Sequence, residues 1–300
     1  MAIEALRTPD ERFEALDGWN YTSNYLEDLP GYEGLRVAYV DEGPKDAART
    51  FLCLHGQPTW SYLYRKMIPV FLETGSRVIA PDWLGFGRSD KPVDDSVYTY
   101  TFHRNMMVAL IERLDLNGVT LVCQDWGGLL GLTIPQDMPD RFDRLLVMNT
   151  AIPIGESPGE GFNAWKAYNA SQPDLDVGNL MQRATPILSE VEAAAYAAPF
   201  PDQTYKAGVR RFPELVMVSP GMDGVDLAVS ARAWWANEWA GECFMAVGMQ
   251  DPVLGPKQMK ALRATIKGCP PPMEIADGGH FVQEWGEPIA RAALERWGDL

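Results

Sequence analysis

The chain has 300 residues, 46% hydrophobic and 22% charged, a globular balance that excludes a disordered or fibrous protein. Its 41 acidic residues outnumber 26 basic ones, giving a net charge of −15. That charge repels phosphate backbones and anionic lipid, which sets nucleic acid and membrane surfaces aside as partners.

In chain order, residues 1–14 mix acids and bases with no apolar signal core. Cys53, Cys123, Cys243 and Cys269 follow neither metal-ligand nor disulfide-framework spacing, so a cytoplasmic protein with free thiols is expected. Short β-rich runs at 36–40, 50–54, 77–80, 119–124 and 145–148 are interleaved with helical periodicity at 61–73, 102–114 and 128–138. Strands alternating with helices predict an α/β fold, a mostly parallel central sheet flanked by helices. From 153 to 231 the pattern stops: no buried strand is evident, and helices are expected only at 191–198 and 226–239. Strands at 244–247 and 272–275 and helices at 257–266 and 288–297 resume the alternation. The reading is one discontinuous main domain, 1–152 and 232–300, with a helical cap at 153–231.

The segment Val122-Cys123-Gln124-Asp125-Trp126-Gly127-Gly128 carries an apolar strand into a tight turn and then a helix. That is the setting of a nucleophile elbow, in which a sharp turn lifts one side chain above the sheet. The turn needs small flanking residues. Gly127 supplies one side and Cys123 the other, with Asp125 at the apex. A second segment, Gly155-Glu156-Ser157-Pro158-Gly159, matches G-x-S-x-G by its letters alone. The residue after a nucleophile must offer its backbone N–H, and Pro158 has none. Taken alone, Asp125 reads more readily as a helix N-cap, the commonest role of Asp at a helix start.

Two further stretches weigh against the cap: Leu54-His55-Gly56-Gln57-Pro58, leaving a strand for a turn, and Asp277-Gly278-Gly279-His280-Phe281, following the last expected strand. With 82–92 (Asp-Trp-Leu-Gly-Phe-Gly-Arg-Ser-Asp-Lys-Pro) and 248–256 (Gly-Met-Gln-Asp-Pro-Val-Leu-Gly-Pro), they stand in an order that resembles the α/β-hydrolase superfamily, and within it the haloalkane dehalogenases. The likeness runs over nearly the whole chain. His-Gly-x-Pro is superfamily-wide, whereas Asp-Trp at the elbow is narrower and shared with epoxide hydrolases.

The resemblance implies that Asp125 is the nucleophile, displacing a halide to leave an alkyl ester, and that His280 is the general base for its hydrolysis. Asp251 would be the triad acid. A different dehalogenase branch draws its acid from the position matching Asn149, which is uncharged here and cannot offset an imidazolium. Backbone N–H groups of Gln57 and Trp126 would form the oxyanion hole. Halide would be held by the indole N–H of Trp126 and by a second donor, for which Trp165 is chosen. One relative's pattern has Trp directly after Lys-Arg, where this chain has Gln182-Arg183-Ala184. Phe162, Phe200, Leu254, Phe281 and Val282 are candidate walls of an apolar substrate pocket; His55 is expected to shape the Gln57 turn and His103 to lie on a helix surface.

The implied partners are a small neutral haloalkane, water and a halide ion, acting on a monomer. Carboxylate, imidazole and water account for every step, so no metal or organic cofactor is expected. Epoxide hydrolysis by the same aspartate is the first alternative. It requires acids for the alkoxide, and Tyr168, Tyr196 and Tyr205 lie in the insertion. Fluoroacetate dehalogenation fits less well, because Trp126 stands where a carboxylate-binding arginine would be wanted. A non-catalytic small-ligand receptor on the same scaffold is the alternative from another class.

Overall fold

Runs of β-branched and aromatic residues buried on both faces are what a covered sheet requires, and they form its centre here. The computed structural model describes residues 3–300. Eight strands build the main sheet: β1 Ser23–Leu26, β2 Val37–Glu42, β3 Thr50–Leu54, β4 Arg77–Pro81, β5 Val119–Cys123, β6 Phe142–Met148, β7 Glu242–Gly248 and β8 Met273–Ile275. Their spatial order is β8-β7-β6-β5-β3-β4-β2-β1; all neighbours are parallel except β1/β2 and β2/β4. Every residue of β3 and β5 is buried. The direction of strand progression reverses around β3 and β5, so a crevice opens beyond their carboxyl ends, where open α/β sheets bind ligands.

Seven strands coincide with the expected runs to within three residues at each end. The edge strand β1 was not anticipated. Its Ser-Asn-Tyr-Leu sequence pairs on one side only and lacks the alternation of a half-buried strand. Two expected helices are shorter than their periodicity. Residues 61–73 divide into a 3₁₀ turn, Ser61–Tyr64, and α1, Ile68–Leu72, because Pro69 fits only a first helical turn. After α2, Tyr100–Arg113, the helix behind the elbow, α3, is only Trp126–Gly131, with 3₁₀-type bonds from Thr133 to Leu130 and from Ile134 to Gly131 leading to Pro135.

Between β6 and β7 there are helices and no strand among the described residues: α4 Glu160–Ala170, α5 Val177–Ala184, α6 Glu190–Ala197, α7 Ala207–Leu215 and α8 Val225–Asn237. A boundary at 231 cuts α8. That helix packs as a unit on the segment after α3, accepting Gln136 Nε2 at Leu227 O (3.2 Å) and donating Trp235 Nε1 to Leu132 O (2.7 Å). The expected boundary thus falls inside a single helix. Two more helices, α9 Pro256–Thr265 and α10 Gly286–Trp297, complete the layers over the sheet.

Candidate active site

The elbow forms because β5 and α3 approach β3 more closely than side chains allow. A Cβ at Gly127 would lie 1.9 Å from the Leu54 carbonyl oxygen, so only glycine fits. Asp125, between them, is held at φ 49°, ψ −125°, a conformation L-residues rarely adopt and which surrounding bonds must enforce. Its N–H donates to Asn149 O at 3.0 Å. Its carbonyl accepts Gly128 N and Leu129 N, both at 2.9 Å, and the Thr150 hydroxyl at 2.7 Å.

Two groups from different strand ends converge on this carboxylate, and a third stands behind one of them. The Gln57 backbone N–H donates to Asp125 Oδ1 at 2.8 Å. His280 Nε2 lies 3.5 Å from Asp125 Oδ2, while its Nδ1 is 2.8 Å from Asp251 Oδ2. Asp251 is 5% exposed and well anchored: Oδ1 accepts Val253 N (2.8 Å) and Leu254 N (3.1 Å), and Oδ2 accepts Asn149 Nδ2 (2.9 Å). The imidazole thus bridges two carboxylates.

Burial alone would lower the His280 pKa, but the charge of Asp251 and hydrogen bonds to Asp125 and Asp251 outweigh it and raise it to about 10. Burial would raise the Asp251 carboxyl; the His280 charge and hydrogen bonds from His280, Asn149 and Val253 bring it below its ordinary value instead.

The Gln57 turn is shaped by His55, as expected. Its Nδ1 lies 2.9 Å from Gly56 O, and its Nε2 accepts Trp83 N at 3.1 Å. Burial pushes this imidazole down to about 4, consistent with a neutral ring that donates from one nitrogen and accepts at the other. His103 is a correction: it is 1% exposed, with its ring nitrogens 3.0 Å from Thr99 O and 3.1 Å from Leu84 O. The Leu84 carbonyl crosses α2 from a distant loop, which helix periodicity around residue 103 could not reveal.

Above the carboxylate lies a cavity of about 490 Å³, with Asp125, Trp126 and His280 in its wall. Phe162, Trp165, Leu254 and Phe281 line it as expected, joined by Leu129, Leu180, Ala184, Pro213 and Val216. Phe200 and Val282 do not. Phe200 turns to Phe86, ring centroids 6.3 Å apart, and Val282 is fully buried at the start of the 3₁₀ turn Val282–Trp285. Tyr168, Tyr196 and Tyr205 are absent from the lining; the Tyr196 hydroxyl is committed to buried Glu284.

Five tryptophans (Trp60, Trp83, Trp235, Trp239 and Trp285) donate their indole N–H to a protein acceptor. The indole N–H groups of the other five, Trp19, Trp126, Trp165, Trp234 and Trp297, meet none among the described residues, and of these Trp126 and Trp165 border the cavity. Trp126 is 3% exposed and fixed edge-on against Phe212 at 4.7 Å.

Residues 49–287 match the family model of the alpha/beta hydrolase fold. A haloalkane dehalogenase from Psychrobacter cryohalolentis is 43% identical over 302 aligned positions, 98% of each chain. The chain belongs to the haloalkane dehalogenase family. Another member, from Mycolicibacterium paratuberculosis, is 40% identical, again over 98% of each chain. Among solved structures, the tetrameric haloalkane dehalogenase of Paraglaciecola agarilytica NO2 is 55% identical and superposes with a TM-score of 0.96 over 98% of both chains.

Two residues contribute in ways the sequence did not suggest. Asn149, set aside as a triad acid, donates instead to the Asp251 carboxylate. Gln124, inside the elbow, donates from Nε2 to His280 O at 3.0 Å and ties the histidine turn to the elbow. Polar side chains at strand ends were the available signal, but their partners lie 102 and 156 residues away in sequence.

Proposed function

We propose that this chain hydrolyses small neutral haloalkanes to alcohol and halide through an ester on Asp125. An Asp125 oxygen attacks the carbon bearing the halogen; as the carbon–oxygen bond forms, the carbon–halogen bond breaks and its electron pair leaves on the halide. Trp126 and Trp165 donate to that anion. Hydrogen bonds to a charged group contribute about 1.5–3 kcal/mol each, so two such donors offer roughly two to four powers of ten in rate if fully realised in the transition state.

In the second half-reaction His280 takes a proton from water, whose oxygen adds to the ester carbonyl carbon. Backbone N–H groups of Gln57 and Trp126 receive the oxyanion, and the alkoxide departs with the proton from His280. Asp251 offsets the imidazolium. Esterification removes the Asp125 charge that helps hold the His280 pKa near 10, which lowers it and frees the neutral base when it is needed.

The observation carrying this reading is His280 held between Asp125 and Asp251 at the floor of an apolar cavity that offers unengaged indole donors. The helical insertion serves as the cap that closes that cavity. No acid faces the nucleophile from Tyr168, Tyr196 or Tyr205, which disfavours epoxide opening. Mass spectrometry of His280→Phe after exposure to 1,2-dibromoethane is the test. A stable adduct on Asp125 with steady turnover abolished is expected, and an unmodified Asp125 in a protein that still binds substrate would reject the mechanism.

The chain is further read as a monomer of the cytoplasm. The four free cysteines support a reducing compartment, and no described helix is long and apolar enough to cross a membrane. Since the Paraglaciecola relative is tetrameric, light scattering decides between a 33.4 kDa particle and one four times that mass.

A further inference from the structure

Resting on the dehalogenase reading, the geometry points to Arg183 as an anion station on the rim of the cavity, through which product halide passes to solvent. Each turnover leaves a halide in a largely apolar chamber, and an ion leaving such a chamber must cross its neck incompletely hydrated. The protein's net charge of −15 favours expulsion overall but offers the departing ion no local partner. Among the residues lining the cavity, Arg183 is the one permanent cation, and its side chain is exposed, which puts it at the mouth.

Arg183 is held rather than free. Its Nη2 donates to the Tyr168 hydroxyl at 2.7 Å, with the guanidinium carbon 5.7 Å from that ring's centroid, and its Nε donates to Asn179 O at 3.3 Å. Of five guanidinium donors, most remain for a ligand. Tyr168 lies one helical turn beyond Trp165 on α4, ring centroids 6.1 Å apart, so Trp165, Tyr168 and Arg183 form a continuous row from the inner donor to the rim.

The end of α5, next to Arg183, abuts the histidine turn so closely that a Cβ on Gly279 would lie 2.7 Å from Ala184 O. Exposed Gln250 and Asp277 also border the cavity. A weakly hydrated guanidinium beside the exit lowers the barrier to a departing anion, and the Asp277 carboxylate at the cavity's border raises it.

A station in the path changes how fast halide moves, not how tightly the inner donors hold it. Stopped-flow quenching of tryptophan fluorescence by bromide, run beside halide release from 1,2-dibromoethane, separates the two. Arg183→Gln should slow bromide association and dissociation together, about threefold to tenfold at low ionic strength, with Kd changed by less than about twofold; the slowing should shrink as salt is raised. Arg183→Lys should restore most of the rate, and Asp277→Asn should speed both directions about twofold. Wild-type rates in Arg183→Gln, or a weakened Kd with faster dissociation, would overturn the station, the latter by revealing a disturbed inner site. A wild-type protein that released no halide would instead sink the dehalogenase reading and the station with it.

Discussion

The two walls of the cavity are built differently. The floor, made of turns at the ends of β3, β5, β7 and β8, is cross-tied: Asp125, His280 and Asp251 bond to one another, and Gln57, Gln124, Asn149, Val253 and Leu254 bond to them. The roof, from α4, α5 and α7, presents Phe162, Leu180, Ala184 and Pro213 as apolar surface, broken by the indole of Trp165 and, at the rim, by Arg183. Polar ties fix a geometry to fractions of an ångström, whereas apolar contact fixes mainly a volume. The floor therefore sets which reaction occurs and the roof which molecules reach it. Substitutions on the two sides should differ in kind as well as in size.

The largest expected effect is Gly127→Ala. Its Cβ would meet backbone, not a movable side chain, so a loss of about 3 kcal/mol or more in denaturant unfolding is expected. Wild-type stability would mean that the floor yields as the roof does.

Next comes pH. The His280 pKa is raised to about 10 in the folded chain, so its stabilisation is complete below the ordinary value near 6.5 and is lost as pH rises through about 10. The unfolding free energy of wild type minus that of His280→Phe should fall by several kcal/mol across that window. A flat difference would mean that the imidazole is not held by the two carboxylates.

Asn149→Leu should lower kcat about thirtyfold, the equivalent of ~2 kcal/mol for a lost hydrogen bond to a charged group, while leaving bromide affinity intact. An effect on affinity with kcat unchanged would invert the division between the walls. Trp165→Phe sharpens the comparison from the other side. Bromide affinity should weaken about tenfold with the unfolding midpoint little changed, and an unaltered affinity would return Trp165 to packing alone.

How much of this was legible follows the same division. β3 and β5 read correctly because residues buried on both faces must all be apolar, and the elbow read correctly because a tight turn between strand and helix restricts its neighbours to small residues. Asp251 and His280 stood at strand ends in a pattern resembling a known family. Helices α4, α5 and α7 were not delimited: α4 packs on α7 and α5 on α6, away from the sheet, with Gly and Pro in or beside them. Phe200 and Val282 were misassigned for a related reason: an aromatic or aliphatic residue near a site can face the core as readily as the cavity, and only the packed neighbours decide which. The tethers from Asn149 and Gln124 depended on contacts across more than a hundred residues.

Asn149 has one more consequence. Its main-chain oxygen holds the Asp125 amide and its side chain holds the Asp251 carboxylate, so a single strand tip is a common mount for the two turns that flank His280. A displacement of that tip would carry both turns with it. The gap that His280 spans would then change less than if each turn were mounted separately.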